Sequence, residues 1–199
     1  MKIGLIGVGA IGGAFAGHLA RAGHELLLSN SRGADALTDL VRSLGSRARP
    51  AEREEAAQAD LVILAVPWTQ VRTVLAGLPA WNGRILMDAT NPVLQPGYRL
   101  AELGGRASTE VVASLAPGAR VVKAGNTLLA AVLASDPREA GGNRVLFVSG
   151  DEDESKAVVK KVLGDIGFAT VDLGTLASGA GLQQFPGGPL PALNLLKLS

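Results

Sequence analysis

Apolar residues in this sequence occur in short consecutive runs, separated by amphipathic or turn-forming segments. Consecutive apolar positions are typical of strands that are buried on both faces, as in a mostly parallel sheet covered by helices. The runs predict strands at residues 2–6, 25–28, 47–51, 61–66, 84–88, 120–124, 144–149 and 168–173. The segments between them predict helices at residues 13–22, 34–44, 52–59, 69–75, 108–115 and 153–166, and a Gly- and Pro-rich loop at 92–105. The pattern therefore predicts an α/β fold.

A glycine-rich turn joins the first predicted strand to the first predicted helix. Its residues are Gly7, Val8, Gly9, Ala10, Ile11 and Gly12. In this position the Gly-x-Gly-x-x-Gly pattern predicts a dinucleotide site in a Rossmann-type, doubly wound sheet. The first glycine permits the tight turn, the second lets the backbone approach a pyrophosphate, and the third lets the helix pack on the strand. The phosphates are expected at the helix N-terminus, where unpaired N–H groups favour negative charge.

The end of the second predicted strand indicates which dinucleotide binds. An enzyme specific for NAD places a carboxylate about 20 residues after the glycines, where it accepts hydrogen bonds from the ribose 2′-hydroxyl. This chain has Ser29, Asn30 and Ser31 there, followed by Arg32. Small hydrogen-bond donors and a guanidinium suit a 2′-phosphate, so the sequence predicts NADP(H); an ordinary polar turn is the alternative.

Three further polar segments follow predicted strands, at residues 66–68, 88–92 and 123–127. Taken singly they are a strand stop, a turn starter and a helix cap. In a doubly wound sheet all three converge on the nicotinamide half of the cofactor. A turn at residues 183–189 and a short helix ending near Leu198 are predicted beyond them, as a small C-terminal appendage covering the carboxyl edge of the sheet, where such sheets bind ligands.

Composition narrows the chemistry further. The 199 residues are 47% hydrophobic with a formal net charge of +1, which suits one domain and gives no support to a nucleic-acid partner. The absence of cysteine excludes thiolate catalysis and disulfides. His18 and His24 are separated, and the acidic residues 151–154 complement a helix dipole, so no metal site is predicted. No run approaches the ~20 apolar residues of a membrane helix. We expect a cytoplasmic protein without a membrane partner, whose first residues form a core strand rather than a signal peptide.

The order of these motifs resembles the NADP oxidoreductases that depend on coenzyme F420, an 8-hydroxy-5-deazaflavin. The likeness extends over essentially the whole chain and includes residues 121–124 and 184–190. The pattern is also similar to the cytosolic reductase domain of the six-transmembrane metalloreductases, which pass hydride to FAD. The resemblance implies a single NADP-binding domain of residues 1–199, in which residues from about 126 to 199 help to form the acceptor side, and it implies a homodimer.

The resemblance also implies roles for individual residues. The pyrophosphate is expected along Val8 to Ile11, and the 2′-phosphate at Asn30, Ser31 and Arg32. The residues implied to flank the nicotinamide ribose are Val66, Pro67 and Trp68. Those implied to lie near the nicotinamide and the acceptor are Ala89, Asn126 and Ala130. The chain departs from the family pattern at Gly125, where many relatives have a bulky apolar residue, often Phe; this loss is expected to enlarge the acceptor side.

No general acid or nucleophile stands out in the sequence. Tyr98, the only tyrosine, lies in the predicted loop. Hydride transfer between two bound heterocycles requires chiefly proximity and alignment, so a missing acid agrees with it. Asn126 is therefore a candidate positioning residue, and Lys123 is the second candidate, as the acid of a different reductase.

Two other functions stay open at this stage. One is an NADPH-dependent reductase of an ordinary flavin, a ferric complex, an imine or a carbonyl. The other is a regulatory domain that senses NADPH without turnover.

Overall fold

The computed structural model describes residues 1–198. Its strands are β1 (Lys2–Ile6), β2 (Glu25–Ser29), β3 (Ala48–Pro50), β4 (Leu61–Leu64), β5 (Ile85–Asp88), β6 (Val93–Leu94), β7 (Arg99–Leu100), β8 (Arg120–Ala124), β9 (Arg138–Glu139), β10 (Gly142–Gly150), β11 (Ala169–Asp172) and β12 (Leu196–Leu198). Its α-helices are α1 (Ala10–Arg21), α2 (Thr38–Leu44), α3 (Arg53–Ala56), α4 (Trp68–Leu75), α5 (Ser108–Leu115), α6 (Ala130–Ala134) and α7 (Asp153–Asp165). A 3₁₀ turn, Ala34–Leu37, precedes α2, and a π-helical turn, Leu176–Ala180, follows β11.

The strand order of the main sheet is β3-β2-β1-β4-β5-β8-β10-β11. The first six of these strands are mutually parallel, whereas β10 runs antiparallel to β8 and parallel to β11. The chain therefore starts in the middle of the sheet, winds outward to β3, and returns to β4 on the other side of β1. This arrangement confirms the predicted Rossmann-type, mostly parallel sheet, and it puts the reversal of strand order between β1 and β4, where such folds bind nucleotides.

Two apolar clusters cover the two faces of the sheet. Phe15 and Leu19 of α1 and Leu163 of α7 belong to one cluster, and Val71 of α4 and Val112 of α5 belong to the other. The spacing of four between Phe15 and Leu19 puts both on the same side of α1, where each is fully buried. Burying a side chain of this size stabilises the fold by about 1.5–3 kcal/mol. These paired faces hold the sheet between two helical layers.

Gly4 in the middle of β1 marks a close approach of helix α3. A Cβ atom at this position would lie 1.9 Å from the carbonyl oxygen of Ala56, the last residue of α3. A glycine inside a strand often indicates such an approach of another backbone. The short α3 thus rests directly on the central strand, and its first residue, Arg53, lies near the carboxyl edge of the sheet.

The C-terminal segment differs from the prediction. The expected short helix ending near Leu198 is wrong: residues Leu196–Leu198 form β12, which pairs antiparallel with Gly142–Arg144 at the start of β10. A helix of a few residues is unstable by itself, because forming its first turn restricts several backbone dihedral angles and gains only one hydrogen bond. The edge of β10 offers backbone hydrogen-bond partners to each residue, so residues 196–198 pair with β10 and do not form a helix.

Several short elements were not predicted. The loop at residues 92–105 contains the hairpin of β6 and β7. Helix α6 and the π-helical turn at Leu176–Ala180 lie in segments whose sequence has no clear periodicity. Each is at most five residues long, too short to impose a helical or alternating pattern.

Helix lengths also bear on membrane insertion. The longest helix, α7, has 13 residues, whereas a membrane-spanning helix needs about 20. Within residues 1–198, no helix is long and apolar enough to cross a membrane.

Candidate functional site

Five neighbouring strands end at one level of the sheet. Ile6 of β1 is the register partner of both Ser29 of β2 and Leu64 of β4. Leu64 in turn pairs with Asp88 of β5, and Asp88 pairs with Lys123 of β8. The segments that follow these residues therefore emerge along one edge, in the spatial order β2, β1, β4, β5, β8.

A cleft of about 420 Å³ lies at the β2–β1–β4 part of this edge. The predicted residues that line it come from three segments: 7–9 after β1, 30–32 after β2, and 66–67 after β4. The structure thus brings together the predicted pyrophosphate turn and the predicted 2′-phosphate loop. They are 20 residues apart in sequence and meet because β1 and β2 are neighbours.

The other predicted site residues lie elsewhere along the edge or behind it. Ala10, Ile11 and Gly12 form the first turn of α1. Trp68 is half-buried at the start of α4 and packs against the apolar cluster that contains Val71. Ala89 and Asn126 are buried beyond β5 and β8, and half-buried Ala130 begins α6. The structure therefore separates an open cleft from a more enclosed region at β5 and β8.

The three glycines of the turn have different surroundings. Gly7 has a φ of +93° and donates its N–H to the carbonyl of Ser29 at 2.9 Å, which closes the turn against β2. A Cβ on Gly12 would lie 2.0 Å from the Gly7 carbonyl oxygen, so α1 packs tightly onto the turn. A Cβ on Gly9 would have no atom of the described chain within 4 Å. The turn is thus packed below Gly9 and open above it, as a bound pyrophosphate requires.

Asn30 shapes the loop after β2. Its Oδ1 accepts a hydrogen bond from the backbone N–H of Arg32 at 3.0 Å. Its Nδ2 is buried and has no hydrogen-bond partner among residues 1–198. Ser31 and Arg32 are exposed beside it. A buried donor without a partner costs about 1–3 kcal/mol, and the oxygens of a ribose phosphate would satisfy it.

Four residues of α3 and α4 that line the cleft were missed in the sequence. They are Arg53 of α3 and Gln70, Thr73 and Val74 of α4. A charged or polar residue on a short helix is ordinary in a sequence, so no signal marks these four. Only the packing of α3 and α4 onto the sheet turns them toward the nucleotide turn.

The region at β5 and β8 is organised around Asn126. Its Nδ2 donates to Oδ1 of Asn91 at 2.9 Å and to the carbonyl of Gln183 at 2.6 Å. Asn91 in turn donates its Nδ2 to the Asn126 carbonyl at 2.8 Å, and its Oδ1 also accepts from the N–H of Phe185 at 3.0 Å. These bonds fix the C-terminal segment across the ends of β5 and β8. Oδ1 of Asn126 stays buried without a partner in the described part of the chain.

Lys123 does not fit the role of a general acid. Its side chain is completely buried, and Nζ donates to Oδ2 of Asp88 at 3.1 Å and to the Thr90 carbonyl. Burial lowers the pKa of Lys123, and the neighbouring Asp88 carboxylate only partly opposes this. A proton donor must reach its substrate, and this ammonium group is enclosed by the core. The structure therefore corrects that candidate role: Lys123 holds the edge together.

Gly125 does not enlarge the acceptor side. It has a φ of +75°, and in this backbone a Cβ would lie 2.4 Å from Cζ of Phe15 and 3.3 Å from the Cε methyl of Met87. Both of these side chains are fully buried. The expectation of a looser pocket is wrong because position 125 faces the core, where the Phe15 ring fills the space.

Two aromatic side chains lie at the outer rim of this region. The rings of Tyr98 and Phe185 meet edge to face with centroids 6.3 Å apart, and their exposed fractions are 63% and 39%. Phe185 is joined to Asn91 through its backbone N–H. The pair therefore presents exposed aromatic surface close to Asn126, since Asn91 is hydrogen-bonded to both Phe185 and Asn126.

The described residues contain no group of three His, Asp or Glu side chains arranged to hold a metal ion. Two orphaned polar atoms, by contrast, fit NADP(H). The Asn30 donor follows β2 and the Asn126 acceptor follows β8, at opposite ends of the edge. A 2′-phosphate accepts hydrogen bonds and a nicotinamide carboxamide donates them, so the residues present suit this cofactor.

Comparison with known proteins supports the same ligand class. The sequence model of the family described as "NADP oxidoreductase coenzyme F420-dependent" matches residues 2–92. That segment contains β1 to β5, the turn after β1 and the loop after β2. The match thus covers the half of the edge that contains the cleft.

A curated relative and two solved structures extend the likeness beyond residue 92. The metalloreductase STEAP3 of Rattus norvegicus is 30% identical over 192 residues, which are 96% of this chain and 37% of the rat protein. The chain thus spans little more than a third of that relative. A hypothetical protein of Sinorhizobium meliloti is 45% identical, with a TM-score of 0.93 over 99% of this chain and 96% of the other. A protein of Arthrobacter sp. FB24, provisionally assigned as an F420-dependent NADP reductase, is 28% identical, with a TM-score of 0.78 over 92% of this chain and 89% of the other.

Proposed function

We propose that the chain is a member of the coenzyme F420-dependent NADP oxidoreductases and that it transfers a hydride between NADP(H) and a deazaflavin or flavin acceptor. The family match and the solved neighbour support an NADP-dependent oxidoreductase. The acceptor, the site residues and the roles below are our proposal.

One observation carries this proposal: the two orphaned atoms lie along one edge of the sheet, Asn30 in the lining of the cleft and Asn126 outside it, beyond β8. The donor Nδ2 of Asn30 follows β2, and the acceptor Oδ1 of Asn126 follows β8. Asn30 and Arg32 would hold the 2′-phosphate of a dinucleotide, and the open turn at Gly9 would hold its pyrophosphate. Residues beyond β5 and β8 would then receive the nicotinamide end.

Asn126 would orient the nicotinamide. Its Nδ2 is occupied by Asn91 and by the Gln183 carbonyl, so the acceptor Oδ1 is the side-chain atom left for a ligand. The carboxamide N–H of the nicotinamide would donate to it. NADPH, when bound, supplies the hydride, and the chain contributes alignment and the exclusion of water by this buried shell.

A ring acceptor needs no proton donor from the chain at the hydride step, and two features favour it over a carbonyl. Lys123 is enclosed in the core, so it does not provide the acid that an alkoxide would require. The exposed rings of Tyr98 and Phe185 offer aromatic contact for a planar heterocycle at the rim. We assign the acceptor side to residues from about 126 onward together with this rim.

The rat metalloreductase favours a second candidate, in which a ferric complex is the final acceptor. NADPH gives up two electrons as a hydride, whereas ferric iron accepts one. A flavin would therefore have to receive the hydride and pass on single electrons. This candidate predicts that ferric reduction requires added flavin.

The deciding experiment follows the loss of NADPH absorbance with coenzyme F420, FMN, FAD, ferric citrate with and without flavin, and simple carbonyls and imines in parallel. Rapid turnover with the deazaflavin or a flavin supports the proposal. Turnover with carbonyls or imines alone would contradict it. Tight NADPH binding without any turnover would instead favour a sensing domain.

A homodimeric state and a cytoplasmic location stay predictions. Light scattering tests the homodimeric state.

A further inference from the structure

Two guanidinium groups line the nucleotide cleft, and their surroundings differ. Arg32 lies in the exposed loop after β2, and no carboxylate within residues 1–198 pairs with it. Arg53 begins α3 on another side of the cleft, and its side chain is 29% exposed. The charge of Arg32 is thus uncompensated, whereas Arg53 is already paired with Glu54.

Three nitrogens hold the Arg53 guanidinium in place. Nε donates to Oε1 of Glu54 at 3.0 Å, and Nη2 donates to the same oxygen. Nη1 donates to the carbonyl of Thr73 in α4 at 3.0 Å. These bonds lie in the plane of the group, so they fix its orientation and leave its flat faces without hydrogen bonds. Glu54 also offsets the positive charge.

The location of Arg53 points to the adenosine end of the cleft. Arg53 and Asn30 both line the cleft, and both also line a smaller hollow of about 300 Å³ next to it. Asn30 belongs to the loop proposed to hold the 2′-phosphate. The same cleft has an apolar lining from Val66 and Val74. An aromatic base entering here would meet a planar cation and aliphatic side chains.

We propose that Arg53 is an adenine-binding residue that stacks a guanidinium face on the base and does not read the 2′-phosphate. This inference rests on the proposed nucleotide site. A planar cation over an aromatic ring contributes about 0.5–2 kcal/mol, and the base is the same in NADPH and NADH. Glu54 compensates the positive charge of Arg53, which would be needed to bind an additional phosphate. The positive charge of Arg32 has no such compensation. Arg32 therefore selects the nucleotide, and Arg53 holds the part that both nucleotides share.

The test compares Arg53→Met and Arg53→Lys with Arg72→Met, an exposed arginine of α4 outside the cleft lining. Calorimetric titrations would use NADPH, NADH, AMP and nicotinamide mononucleotide as probes. Arg53→Met should weaken NADPH, NADH and AMP by the same factor, about 2- to 30-fold. Nicotinamide mononucleotide should bind as before. Arg53→Lys should restore binding only in part, because an ammonium keeps the attraction of a cation for the ring but lacks a planar face to stack on it.

Glu54→Gln provides a second, independent measurement. It removes the compensating charge and keeps the shape, so the affinity ratio of NADPH to NADH should rise by several-fold while AMP binding persists. Thermal unfolding establishes that each variant is folded. A loss confined to NADPH in Arg53→Met would show that Arg53 reads the phosphate, and an unchanged AMP affinity would show that it only ties α3 to α4. Either result overturns the inference. Failure of the nucleotide site itself would differ, because the unchanged protein would then bind none of the adenine nucleotides.

Discussion

Nζ of Lys123 lies 3.1 Å from Oδ2 of Asp88, and neither side chain has any exposed surface. The two residues are register partners at the ends of β8 and β5. Asp88 also accepts hydrogen bonds from the hydroxyls of Thr90 at 2.7 Å and Thr109 at 2.6 Å. A buried ion pair repays its desolvation only when its remaining hydrogen-bonding capacity is filled in this way. The network connects the two strands immediately below the region of Asn91 and Asn126.

The first prediction concerns this pair. Lys123→Met would leave the Asp88 carboxylate buried without its cation, which typically costs 3–5 kcal/mol, so we expect a loss of about that size in the free energy of unfolding. Urea denaturation followed by circular dichroism measures it. Lys123→Met combined with Asp88→Asn should recover part of the loss, because no uncompensated charge is then left.

The same variant separates a structural role from a catalytic one. Under conditions where Lys123→Met is folded, kcat should fall by no more than about tenfold, since general acid catalysis typically contributes 10²–10⁴-fold. A roughly thousandfold loss with unchanged NADPH affinity would contradict direct hydride transfer. It would favour a carbonyl or imine reductase that uses Lys123 as its acid.

The second prediction concerns nucleotide selection by Arg32. A charged hydrogen bond contributes about 1.5–3 kcal/mol, and each ~1.4 kcal/mol is tenfold in affinity. Arg32→Ala should therefore weaken NADPH by about 10- to 100-fold and leave NADH nearly unchanged, as measured by fluorescence titration. Arg42→Ala, an exposed arginine of α2 that pairs with Asp39, is the matched control. Equal losses for both nucleotides would disprove the 2′-phosphate assignment.

The third prediction distinguishes the glycines of the turn. Gly9 has φ −75° and ψ −155°, an extended conformation that valine adopts readily, and open space lies where its side chain would stand. Gly9→Val should therefore keep its melting temperature and lose affinity for NADPH and NADH together. Gly12→Val should instead unfold at a lower temperature, because its Cβ collides with the Gly7 carbonyl. Normal NADPH binding by Gly9→Val would mean that the pyrophosphate lies elsewhere.

The fourth prediction concerns Asn126. The neutral hydrogen bond proposed between Oδ1 of Asn126 and the nicotinamide carboxamide contributes about 0.5–1.5 kcal/mol, and misalignment of the reacting rings adds to the loss in rate. Asn126→Ala should thus reduce kcat by at least tenfold and change the Kd of NADPH only a few-fold. Asn143→Ala is the control, since Asn143 also donates to a backbone carbonyl, that of Gly167, but lies on β10. A variant that lost NADPH affinity and kept kcat would refute the positioning role.

The fifth prediction is a pH dependence of stability. The His18 ring contacts the Leu133 carbonyl at 2.8 Å through Nε2 and the Arg21 guanidinium at 2.7 Å through Nδ1. Burial is the main cause of a pKa below the ordinary 6.5, and the nearby Arg21 charge lowers it further. His24 has a pKa lowered mainly by burial as well.

A lowered pKa in the folded state means that the unfolded chain binds protons first as the solution is acidified. The free energy of unfolding should therefore decrease as the pH falls from about 7.5 to about 5.5. His18→Gln should flatten part of this decrease, and His18→Gln with His24→Gln should flatten more of it. Urea titrations at several pH values measure the slope. An unchanged slope in the double variant would contradict the assignment.

Local sequence signals determined the frame of this protein. Consecutive apolar runs predicted the parallel sheet because a strand buried on both faces needs apolar side chains at successive positions. The glycines at 7, 9 and 12 and the donors at 29–32 were recognisable because nucleotide phosphates impose residue types at fixed, short spacings.

Only the tertiary structure decided the rest, because it depends on contacts between residues far apart in sequence. Asn126 donates to the Gln183 carbonyl 57 positions away, and its acceptor Oδ1 is left buried without a partner among the described residues. Arg53 donates a hydrogen bond to Thr73, which is 20 positions away in sequence, and Lys123 pairs with Asp88, which is 35 positions away. Position 125 faces the Phe15 ring, which no spacing rule anticipates. Residue type specifies which chemistry a side chain can perform, but burial and partners decide whether it is free to do so.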